Sequence, residues 1–167
     1  HPYHVRVGNW LRECRGVYRL ARYPQHDNAQ LILWALWARN LRGCPQGVYS
    51  HLTALRIHDL SDVMPVRLEM TVPPTFRRRT PIPSVLVLHR GTLAESDILR
   101  RSGYAVTTPL RSVLDLVSSE SISRDIIRQA IREARHRGLI TAAEFTQAAD
   151  RGDIPPWAYE APGKSSS

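Results

Sequence analysis

From Leu31 to Ala38 the chain reads LILWALWA, and this run constrains the fold more than any other segment. With Asp27 or Asn28 as N-cap and Gly43 and Pro45 as stops, it predicts a helix from Asn28 to about Leu41. Such a helix keeps almost no polar face and has to be buried. It is too short to cross a bilayer, which takes about 20 apolar residues. Its tryptophans read as core rather than as ligand platforms.

The remainder supplies enough material to bury it. With 167 residues, 43% hydrophobic and 23% charged, the chain has the make-up of an ordinary globular protein with one sizeable core or two small ones. The opening HPYHVRV lacks the apolar region of a signal peptide, so the expected location is the cytoplasm and no membrane partner is expected. The chain starts at His1 within what reads as a structural element, which suggests a fragment. Cys14 and Cys44 belong to no CxxC pair or Cys/His cluster, so neither a disulfide framework nor a zinc site is expected. A formal net charge of +8 points to a polyanionic partner, nucleic acid first. Lys164 is the only lysine, so the basic residues are nearly all arginine, which suits bidentate phosphate contacts.

Along the chain, the runs Tyr3 to Val7, Trp10 to Cys14 and Val17 to Leu20 predict a small sheet, with a Gly8-Asn9 turn making the first two a hairpin. Its exposed positions carry Arg6, Asn9, Arg12 and Arg15, either as a solvated edge or as a basic surface. Gly47 to Tyr49, Val66 to Val72, Ser84 to His89 and Tyr104 to Thr107 read as further strands. Between the second and third of these lies a Pro-rich loop in which Arg77, Arg78 and Arg79 are adjacent, a candidate phosphate-contacting element or a mobile solvated loop. Ser50 caps a helix through His58, and Thr108-Pro109 starts another. On that second helix Arg111 and Asp115 stand four apart, and an exposed pair of this kind contributes at most about 1 kcal/mol. A helix from Arg124 to about Arg137 is ended by Gly138, and a shorter one runs from Thr141 to about Ala149. Arg124, Arg128, Arg132 and Arg135 form a strip on the first of these, either a solvated face or a surface for an acidic or nucleic-acid partner. From Ile154 onward, prolines and serines predict a disordered tail.

No catalytic constellation emerges. Ser50 beside His51 invites a nucleophile-and-base reading, but consecutive residues of a helix point about 100° apart and cannot face one another. His51 and His58 lie roughly 10 Å apart along that helix, too far to share a metal. A carboxylate-based nuclease would want a lysine two residues beyond Glu69, where Thr71 stands. No P-loop, GxGxxG or GxSxG is present.

HVRVGNWLRECRGVYRLARYP, GVYSHLTALRIHDL and YAVTTPLRSVLDL, in that order, resemble stretches of the AbiEi family of antitoxins from type IV toxin–antitoxin systems. HVRVGNWLRECRGVYRLARYP is similar to the wing and exit strand of that family's winged helix-turn-helix, and GVYSHLTALRIHDL to its Ser-His/Ala-Leu segment. YAVTTPLRSVLDL resembles its Thr-Thr-Pro-x-Arg-Thr-x-x-Asp block, with Ser112 where the family often has Thr, and IRQAIREARHRGLIT its C-terminal helix. The resemblance implies an α+β fold: residues 1–24 as the wing of a truncated winged-helix domain, 25–150 as a mixed α/β antitoxin domain with C-terminal helices, and 151–167 as tail. The recognition helix would precede His1. The implied function is that of a non-enzymatic antitoxin and autoregulator that binds operator DNA and counteracts a nucleotidyltransferase toxin, without cofactor or metal. On that reading Arg6, Asn9, Arg12 and Arg15 contact DNA and the Arg124 to Arg135 strip serves the antitoxin role. The rivals are the regulatory domain of an endonuclease-like protein and a pure protein-interaction module.

Overall fold

A computed structural model describes the backbone of residues 10–14 and 17–20 and, in full, residues 28–160. The fold is α+β, built on a mixed five-stranded sheet with helices against it. Strands β1 (Trp10–Cys14) and β2 (Val17–Leu20) form a separate antiparallel ribbon. The third run expected in that sheet, Tyr3 to Val7, lies outside the described residues.

Helix α1 (Asn28–Trp37) stops four residues short of Leu41. The reason is local: the Asn40 side-chain oxygen accepts from the Arg42 and Cys44 amides at 2.9 Å each, and these bonds compete with continuing the helix. Leu41 is left fully exposed. Nor is the whole of α1 buried: Ala29, Ala35 and Trp37 are, while Leu31 to Trp34 and Leu36 are half-buried.

The main sheet comprises β3 (Val48–Tyr49), β4 (Leu68–Val72), β5 (Leu86–Arg90), β6 (Ile98–Arg100) and β7 (Ala105–Thr107), in the order β5-β4-β3-β7-β6. Three-residue β6 is too short to register as an alternation in the sequence. Pairing is antiparallel for β3 with β4 and for β6 with β7, and parallel for β3 with β7 and for β4 with β5. Parallel neighbours cannot be joined by a tight turn and need a crossover of a dozen or so residues. The Pro- and Arg-rich segment 73–85 is that crossover.

Strand alternation then sorts the side chains. Tyr49, Met70, Val72, Leu86 and Val106 share one core with Ala35, Trp37 and Ala38, and the Tyr49 hydroxyl donates to the Leu31 carbonyl at 2.6 Å. Glu69, Thr71, His89 and Thr107 occupy the alternate positions. That second face meets α2 (His51–Ile57) and α3 (Pro109–Ser119). Behind them α4 (Arg124–His136) and α5 (Ala142–Asp150) close a second core around Leu55, Val113, Leu116, Ile127 and Ile131. Gly138, at φ +73°, ends α4 in the left-handed conformation that a Cβ disfavours.

The tail expectation is corrected for residues 151–160. Ile154 and Ala158 are 1% exposed within the helical core, and Trp157 packs against it. Pro155 and Pro156, read as breakers, start a 3-10 turn, Pro156–Ala158, that lays Trp157 on α4. Residues 161–167 lie outside the described set. Ile154→Ala is expected to lower stability by about 2 kcal/mol or more in urea unfolding, as for a buried aliphatic side chain. An unchanged midpoint would return this segment to a loose tail.

Candidate functional site

The polar face of β4 and β5 meets the start of α2 at one joint. Because β3 is only two residues long, α2 takes over the pairing with β4 beyond it. The Ser50 amide donates to the Glu69 carbonyl at 3.0 Å, and the Glu69 amide donates to Thr53 Oγ1 at 2.9 Å. The Glu69 carboxylate in turn accepts from the Leu52 amide through Oε2 at 3.2 Å.

The Ser50–His51 pair overturns the helical-geometry reading. Ser50 is extended, with φ −144° and ψ 179°, and His51 sits at φ +56°, so the two do not follow a helical path. Ser50 Oγ and His51 Nδ1 lie 2.8 Å apart, and Thr71 Oγ1 donates to Ser50 Oγ at 2.9 Å. Ser50 makes no side-chain cap bond, its hydroxyl being committed to this chain. A left-handed backbone at a non-glycine residue costs on the order of 1–3 kcal/mol and persists only where surrounding contacts dictate it. Ser50 is completely buried, so it orients His51 and does not meet a substrate.

His51 is brought over His89 rather than towards His58. The His51 and His89 rings stack with centroids 3.8 Å apart and an interplanar angle of 16°. His89 Nε2 bonds Glu69 Oε1 at 3.0 Å, as strand register demands, since Thr71 pairs with His89 and Glu69 precedes Thr71 by two on the same face. One ligand-capable atom from each of His51, Glu69 and His89 falls within 4.8 Å of the others. Asp115 and Arg111 act on His51 electrostatically from α3. Asp115 Oδ1 accepts from Arg111 Nη2 at 2.8 Å and Nε at 3.0 Å, and its side chain is 9% exposed. This is the burial that lifts the pair above an ordinary surface contact. Asp115 Oδ2 is buried with no hydrogen-bond partner.

Burial pushes the His51 pKa below its ordinary value, helped by the neighbouring His89 and Arg111, and Asp115 and Glu69 oppose the shift. His58 is also pushed down by burial, although its Nε2 lies 2.7 Å from the Thr107 carbonyl. His58 serves the frame: Arg137 caps the end of α2 by donating to the His58 and Asp59 carbonyls. Ser112, where the resembled family often has Thr, is buried and bonded to Thr107 Oγ1 and the Thr108 carbonyl at 2.7 Å each.

The residues singled out in the sequence fall elsewhere. Arg6, Asn9 and Arg15 lie outside the described residues, and Arg12 is described only as backbone of β1. Arg77, Arg78 and Arg79 sit on the crossover loop. Arg77 and Arg90 both donate to the Phe76 carbonyl, at 3.0 Å and 2.7 Å, and Arg78 lies over the Trp37 ring at 5.0 Å. Arg90 was not anticipated; its place as the last residue of a strand running beside the loop's origin was the only available signal. Of the α4 strip, Arg124 and Arg128 lie over Trp157, and Arg128 also bonds the Trp157 carbonyl and Asp125. Arg135 covers Phe145 at 3.9 Å. Arg132 is exposed and makes no such contact among the described residues. The strip therefore fastens α5 and the C-terminal turn before it meets any partner. A cleft of about 1010 Å³ between α1 and residues 64–68 includes none of the histidine cluster in its lining.

His51 and His58 fix a pH dependence. Their folded pKa values lie below the unfolded 6.5, so the unfolded chain binds more protons in that window. Their stabilising contribution is present above the unfolded value and is lost as pH falls through the folded ones. The urea midpoint is expected to drop as pH falls below about 6.5, and His58→Gln to flatten that slope. A slope identical in His58→Gln would remove His58 from the effect.

No protein-family model matches this chain, and no curated protein is significantly similar to it. What the site can do rests on its own geometry and charge.

Proposed function

We propose that the chain is a non-catalytic, DNA-associated regulator of the antitoxin class that its motifs resemble, acting in the cytoplasm and meeting the DNA backbone through the β4–β5 crossover. One observation carries this reading: Arg77, Arg78, Arg79 and Arg90 gather at that loop without a carboxylate partner among the described residues. Two guanidinium groups converge on one neutral carbonyl, that of Phe76. Like charges held this close repel, and a phosphate oxygen between them converts the repulsion into charge-assisted hydrogen bonds. A net charge of +8 supplies the long-range attraction.

Contacts to phosphate position a protein on DNA without reading its sequence. Arg6, Asn9, Arg12 and Arg15 are assigned contacts to the DNA backbone or minor groove that position a recognition helix. The antitoxin role against a nucleotidyltransferase is assigned to the α4 face, with Arg132 as its freest cation and Arg124, Arg128 and Arg135 shared with Trp157 and Phe145.

Fluorescence anisotropy with a labelled duplex, repeated across a salt series, tests the loop. The triple variant Arg77→Ala, Arg79→Ala, Arg90→Ala is expected to bind more weakly and to lose about 0.9 from the log–log salt slope per phosphate contact removed. Equal affinity and slope would dismiss the loop as a DNA contact. No binding by the parent chain even at low salt would favour a protein-interaction module. For the α4 face, co-expression with a nucleotidyltransferase toxin should restore growth, and Arg132→Glu should weaken the rescue; full rescue by the variant would clear that face of the role.

A further inference from the structure

We propose that His51, Glu69 and His89 form a three-ligand site for a divalent transition-metal ion of the zinc type. Two imidazoles and a carboxylate are a donor set that borderline cations favour over magnesium or calcium, which prefer oxygen. Two of the three ligands are already oriented by a further contact. Ser50 Oγ engages His51 Nδ1, which leaves Nε2 without a hydrogen bond among the described residues. The Leu52 amide holds Glu69 Oε2 and leaves Oε1 facing His89. Outer contacts of this kind fix the tautomer and aim of metal ligands. The charge also fits: two carboxylates, Glu69 and Asp115, act near His51 against one guanidinium, Arg111. Asp115 is paired with Arg111 through Oδ1 alone, and its Oδ2 is buried without a hydrogen-bond partner.

The three ligand atoms lie within 4.8 Å of one another. A tetrahedral ion with bonds of about 2.0–2.1 Å sets its donors about 3.3 Å apart; His89 Nε2 and Glu69 Oε1, at 3.0 Å, already have about that spacing, and any closure on loading falls on the distances to His51. Imidazole lone pairs lie in the ring plane, and two stacked rings 3.8 Å apart cannot both address one ion. His89 is the ring that turns, since its side chain is 32% exposed and is tied by a single hydrogen bond to Glu69. His51, locked by its backbone and Ser50, stays in place. The fourth position opens on the solvent side that exposes His89. The ion would cross-link α2, β4 and β5.

The test is titration of the full chain, stripped by chelator, with Zn2+ in a calorimeter and with Co2+ by visible absorption. One equivalent is expected to bind, with a four-coordinate cobalt spectrum. His89→Ala and Glu69→Gln, both at partly exposed positions, should weaken binding more than about 100-fold, because losing even an outer partner costs about 10–100-fold. His136→Ala, an exposed histidine outside the cluster, should bind as the parent does. Circular dichroism confirms that each variant is folded. Failure of the parent chain to bind, or undiminished binding in folded His89→Ala and Glu69→Gln, overturns the proposal.

Discussion

The left-handed turn at His51, held by the hydrogen-bond chain from Thr71 through Ser50, is the contact on which the arrangement of the sheet and helices depends. Without it Ser50 and His51 would follow a helical path, and the imidazole could not reach the face of β4 and β5. With it the chain turns off β3 after two residues. The first turn of α2 then serves β4 as a third strand would, satisfying the backbone of Glu69 through Ser50 and Thr53. A backbone outlier costing on the order of 1–3 kcal/mol persists here because Thr71, Ser50, Thr53 and the Glu69 backbone are all bonded around it.

Two apolar cores flank this joint, one under α1 and one among α2 to α5. Both are composed as expected of a chain that must hide many leucines, isoleucines and tryptophans. Between them lies a set of groups that no apolar packing requires: two histidines, two carboxylates, an arginine and two hydroxyls. Buried networks are stable when fully satisfied and costly when not. Most of this one is satisfied, but among the described residues Asp115 Oδ2 is buried without a partner and His51 Nε2 makes no hydrogen bond, and such exceptions call for an explanation. The cationic surface at the crossover loop is separate in chemistry, with guanidinium groups resting on carbonyls and on Trp37.

Most elements were legible in the sequence because their signals are local. Thr108-Pro109 announces α3, and Thr108 does accept from the Arg111 amide; Gly138 closes α4 as its position suggests. Where sequence reasoning failed, a distant partner decided the outcome. Pro155 and Pro156 look like disorder until Trp157 meets Arg124 and Arg128 on α4. The Arg strip looks free for the same reason. Helical spacing forbade a Ser50–His51 contact, and only the conformation at His51 permits it. Glu69 and Thr71 were visibly on one strand face, but His89 joins them through a parallel pairing that no short-range pattern encodes. The nature of the buried site was thus hidden, while the basic loop was readable as three adjacent arginines lacking only Arg90.

The His51 ring itself is the most direct probe of the joint. Its titration, followed by the side-chain carbon and nitrogen shifts in an NMR spectrum of metal-free protein, should have a midpoint below the ordinary 6.5, with the ring neutral at physiological pH. A midpoint at or above 6.5 would mean that the imidazole is hydrated or paired with Asp115 or Glu69, and would contradict a buried ring oriented by Ser50.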